Sequence, residues 1–203
     1  MIEIAGKITE PRCAEKRCPH DGVHRAKADG TIRHPRMGYL DGRPLFFGNE
    51  AFYFHTGDDI GYKVYHALRL GVGWGRDKIE YIARQMALFH PFAATAFDID
   101  EIALDVCFRG KQIRKTAYAL AVQHVYYPEK AWIRFCRGYP YDWNVVAHPE
   151  HSPDGFRRFV ASAARVVPRL HKKSLVLGGT AWCSRQNRWI IMDVDWRGPE
   201  HGN

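Results

Sequence analysis

The sequence predicts an α+β protein: an antiparallel sheet with a helix, followed by a smaller C-terminal lobe. Three observations carry this. Short alternating apolar runs crowd residues 44–68 and 94–127. Two segments carry helical rather than strand periodicity. Helices and strands do not alternate strictly, as a parallel doubly wound sheet requires.

Residues 2–8 alternate weakly and predict a strand. The rest of 1–43 is rich in Pro, Gly, Arg and His and reads as an irregular segment that needs a tether. PLFFGNEAFYFH (44–55) gives two apolar runs around Gly48. The turn at 56–59 leads into IGYKVYHAL, where Ile60, Tyr62, Val64 and His66 alternate with Lys63 and Tyr65. Together these form an antiparallel meander within a β-rich lobe spanning 44–136.

Asp77 and Glu80 have the spacing of a capping box, and Ile79, Ile82, Met86 and Phe89 fall on one face of the helix they would start. Pro91 ends it. Two or three more antiparallel strands follow, with the turn at Gly110 and Lys111. In the second long run Ala117, Ala119, Ala121 and Gln123 alternate with Tyr118, Leu120, Val122 and His124. AWIRFC (131–136) is another strand or a helix edge. The third region, 137–203, opens on an aromatic loop. Ser152 then caps a second helix with Pro153 at its first position. Phe156, Phe159, Val160, Ala163, Val167 and Leu170 line that helix's apolar face. A short strand, a loop with Gly178 and Gly179, and a final strand ending at DVDW complete the order.

Composition bounds the function classes. The chain has 203 residues, 46% hydrophobic and 26% charged, with a net charge of +8. A basic surface attracts phosphates, nucleic acids or acidic partners, yet the basic residues are scattered without long runs. Five cysteines, an odd number, do not make a disulfide framework and point to a reducing, cytoplasmic setting. The N-terminus carries acids and no apolar core, so no signal peptide is expected. No run approaches the roughly 18 apolar residues of a spanning helix, so no membrane association is expected.

The chemistry-bearing candidates are few. Asp193 and Asp195 end an apolar strand, and side chains two apart in a strand face the same way. Paired carboxylates there suit Mg²⁺ bridging nucleotide phosphates; the competing reading is one turn-capping and one solvated Asp. Phe97-Asp98-Ile99-Asp100 has the same form, but its position after Pro91 favours an acidic turn. Gly48, in a β turn, lets backbone N–H groups approach phosphate. Lys63 sits among apolar strand residues, so it either meets a charge partner or faces solvent. Cys13, Cys18, His20 and His24, spaced C-x4-C-x-H-x3-H, are zinc-ligand types that could order the N-terminal segment; an irregular loop with unpaired thiols is the alternative. His171, Lys172, Lys173, Arg185, Arg188 and Trp189, with the aromatic loop residues Tyr139, Tyr141 and Trp143, would suit single-stranded nucleic acid by charge and stacking; the alternative is that these aromatics pack the lobe junction.

The order of these features resembles that of protein kinases and the related small-molecule kinases. In that superfamily a Gly-rich β turn, a strand Lys and a helix Glu precede a catalytic loop and a strand ending in a metal-binding Asp. GNEAF, with Gly48 and the aromatic Phe52, is similar to the glycine turn. Lys63 in GYKVY, Glu80 in the next helix and Asp193 in IIMDVDW match the other positions in order. The resemblance implies a kinase N-lobe-like sheet with a reduced helical C-terminal lobe, and ATP with Mg²⁺ as ligand. Lys63 would touch phosphate, Glu80 would orient Lys63, and Asp193 would hold Mg²⁺ with help from Asp195. The sequence departs from the pattern. Glu50 and Tyr53 replace two glycines, and Gly178, Gly179 and Thr180 stand where the catalytic Asp belongs. The expectation is therefore a nucleotide- or phosphate-binding protein, impaired or inactive as a phosphotransferase. The alternative is a non-enzymatic basic protein that engages nucleic acid or an acidic protein.

Overall fold

A computed structural model describes residues 2–9, 37–41, 43–47, 51–55, 59–65, 75–108, 110–128, 132–133, 143–166 and 179–194. Its fold is mixed α+β. The chain divides into two compact units, Met1–Glu80 with Ala96–His124 and Tyr81–Thr95 with Val125–Asn203.

In the first unit the apolar alternation produces β1 (Ile2–Thr9), β2 (Met37–Leu40), β3 (Arg43–Phe47), β4 (Ala51–His55), β5 (Ile60–Tyr65), β6 (Ala96–Phe108) and β7 (Lys111–Gln123). The strands close into a barrel in the order β1-β2-β3-β4-β5-β7-β6. All neighbours are antiparallel except β1 and β6, which run parallel from Ile2↔Ile102 to Lys7↔Cys107. This corrects the expectation of a purely antiparallel sheet; the strand expected over residues 2–8 is β1, and the stretch expected to be irregular contributes β2 to the wall. Closure satisfies the backbone groups that two edge strands would leave unpaired.

Inward residues fill the interior. Leu45, Phe52, Val64, Ile102, Leu104 and Ala119 are among the buried core, with Tyr62 packed against it. The β6–β7 hairpin turns at Gly110, whose φ of +76° suits glycine, while Lys111 already pairs with Phe108 rather than forming the turn. Asp98 and Asp100 belong to β6, beside an irregularity between Ala96 and Asp98, and not to an acidic turn. At the β1–β2 corner, Asp41 Oδ1 accepts the Lys7 N–H at 3.1 Å. Gly6 has φ +147°, and a Cβ there would fall 1.9 Å from the Asp41 carboxylate, so only glycine fits.

Helix α1 (Arg76–Leu88) contains the unit boundary. Its expected apolar face holds: Ile79, Ile82 and Met86 are buried, as is Phe89 just beyond its end. The helix begins one residue before Asp77, so Asp77 lies in the first turn instead of capping it.

Among its described residues the second unit contains both helix and sheet. It pairs helix α2 (Pro153–Val166) and the later turns of α1 with a three-stranded sheet ordered β10-β9-β8, from β8 (Trp132–Ile133), β9 (Thr180–Cys183) and β10 (Arg188–Ile191). Ser152 caps α2 as expected: its Oγ accepts the Gly155 N–H at 3.1 Å. Phe156 and Ala163 are buried, and Phe156 packs with Trp182 and Trp189. No described helix is long and apolar enough to cross a membrane.

Tyr127, in the second unit, gives a pH prediction. Burial pushes its phenol well above the ordinary value. The folded protein therefore resists ionising a group that the unfolded chain ionises near pH ~10. Its contribution is complete below that pH and shrinks above it, by up to about 1.4 kcal/mol per pH unit. Urea titrations at rising alkaline pH should show a shallower loss for Tyr127→Phe than for the wild type; parallel curves would contradict this.

Candidate functional site

Lys63 lies in the middle of β5 and is half-buried. It pairs with Tyr53 of β4 on one side and Leu120 of β7 on the other. Tyr62 and Val64 face the barrel interior, so alternation sends Lys63 to the outer wall. Directly opposed residues share a face. The outer wall at this place therefore carries Tyr53, His55, Gly61 and Lys63, together with Leu120 and Val122 of β7.

His124 follows β7 and is held by a backbone bond from its N–H to the Asp59 carbonyl at 2.8 Å. Its side chain is buried. Tyr53 Oη and His124 Nδ1 share a hydrogen bond of 2.6 Å. The ring of His55 stacks on that of His124 with centroids 3.5 Å apart and planes 8° apart. Gly61 makes room: a Cβ there would lie 1.9 Å from the Tyr53 hydroxyl and 2.2 Å from the ring carbon that bears it. The wall thus combines a half-buried lysine, two stacked imidazoles and a phenol.

The other expected residues fall as follows. Phe52 is part of the barrel core, 2% exposed, and not an aromatic at a turn tip. Glu80 forms an ion pair with Arg76 one turn earlier, at 2.9 Å and open to solvent. That hydrogen bond raises the Arg76 pKa above its ordinary value. Asp193 is exposed two residues after β10. Its backbone N–H and that of Met192 both donate to the Gly179 carbonyl, at 3.3 and 2.7 Å. Thr180, where the kinase pattern expects a catalytic-loop residue, is buried in β9. Gly48, Asp195, Cys13, Cys18, His20 and His24 lie outside the described residues. Among the described residues, no three His, Cys, Asp or Glu side chains group closely enough to hold a metal.

His55 and His124 were missed as a pair because nothing local links residues on strands this far apart in sequence. The one available signal was the phase of β7, which puts His124 in step with Leu120 and Val122. No family model, curated protein or solved structure matches the chain.

The fit of Tyr53 over Gly61 predicts a specific non-additivity. Gly61→Ala should destabilise the protein by about 1–3 kcal/mol, the range for overpacking a tight site. In a Tyr53→Ala background the same change should cost little, a coupling readable by urea unfolding. Equal costs in both backgrounds would show that the ring does not rest there.

Proposed function

We propose that the protein binds a nucleotide or another phosphate-bearing ligand on the outer wall of its barrel, with Lys63 supplying the principal charge. The observation that carries this is the setting of Lys63: a half-buried lysine in a central strand, with imidazoles on the same face. A cation partly withdrawn from water attracts an anion more strongly than a fully solvated one. The order of parts supports a kinase-like version of this reading. Strands β3 and β4, the Lys63 strand, the Glu80 helix and the β9–β10 hairpin, with Asp193 two residues beyond it, follow one another along the chain. In that version the ligand is ATP. Thr180 offers no carboxylate to take a proton from an acceptor hydroxyl, so the proposal is for binding, with phosphoryl transfer impaired or absent.

Thermal unfolding tests it. ATP with Mg²⁺ at a hundredfold excess over its dissociation constant should stabilise the fold by about 2.7 kcal/mol, a shift of several degrees for a chain this size. Lys63→Met should abolish the shift. A wild type indifferent to millimolar nucleotide would refute the reading.

A second reading is supported by the second unit. The Arg185 guanidinium stacks 3.4 Å from the Tyr126 ring centroid, and Arg188 lies on the same β9–β10 hairpin. An arginine stacked on an aromatic is a surface that single-stranded nucleic acid uses. On this reading, affinity for an unstructured oligonucleotide falls steeply with salt and drops on Arg185→Ala. A flat salt response would exclude it.

A further inference from the structure

We draw no further inference here: the strongest candidate, the fully buried Trp182 indole N–H in the ring cluster of the second unit, which has no hydrogen-bond partner beside His148, His151 and Trp189, is a single orphaned donor within the packed core, and nothing in the structure shows what ligand would reach it.

Discussion

Parallel pairing of β1 with β6 is the constraint on which the first unit depends. Without it the strands from β1 to β7 and β6 form an open ribbon with two exposed edges and a poorly defined inside. With it, the residues that point inward are committed to a shared core. Phe52, Val64, Leu104 and Ala119 are then necessarily interior, and the intervening residues are necessarily on the wall. A slip of one residue in β5 would exchange Lys63 for Val64 and place an ammonium in the barrel core. The position of Lys63 is therefore set by the interior packing of its neighbours and needs no ligand to explain it.

The wall around Lys63 is less polar than an ordinary barrel surface. The second half of β7 is buried on both faces: Ala117 and Ala119 point inward, and Leu120 and Val122, on the other side, are just as inaccessible. His124 continues this dry stretch. A polar ring there needs a partner, since an unsatisfied buried polar group costs about 1–3 kcal/mol. Tyr53 provides one across Gly61, so the absence of a side chain at position 61 is part of the polar arrangement. Low local polarity also strengthens whatever electrostatic interaction Lys63 makes. Barrel closure, glycine placement and cation environment thus form one chain of cause.

What could be read from the sequence was local. The apolar face of α1, the Ser152 cap of α2 and the two hairpins from β3 to β5 follow from periodicity and turn chemistry within a few residues. The barrel could not be read. Its closure joins β1 to β6 across most of the first unit, and parallel pairing leaves no hairpin signature. The pairing of His55 with His124 was hidden for the same reason. Phe52 follows a glycine turn in the sequence and so resembles a turn-tip aromatic, whereas the pleat of β4 turns it inward. Asp98 and Asp100 looked like turn residues because acids are uncommon in strands; the irregularity at the start of β6 accommodates them.

The second unit positions its acidic residue by different means. Trp182 of β9 and Trp189 of β10 stand directly opposite in register and pack edge-to-face at 5.5 Å. His151 stacks on Trp189 at 5.4 Å, and the Trp189 indole donates to the Glu150 carbonyl at 2.8 Å. These contacts tie the hairpin to the turn that precedes α2. The chain leaving β10 is then held by the two bonds to the Gly179 carbonyl, with Val194 buried after it. Asp193, between a hairpin clamped by tryptophans and a buried valine, has its backbone fixed on both sides while its side chain stays exposed.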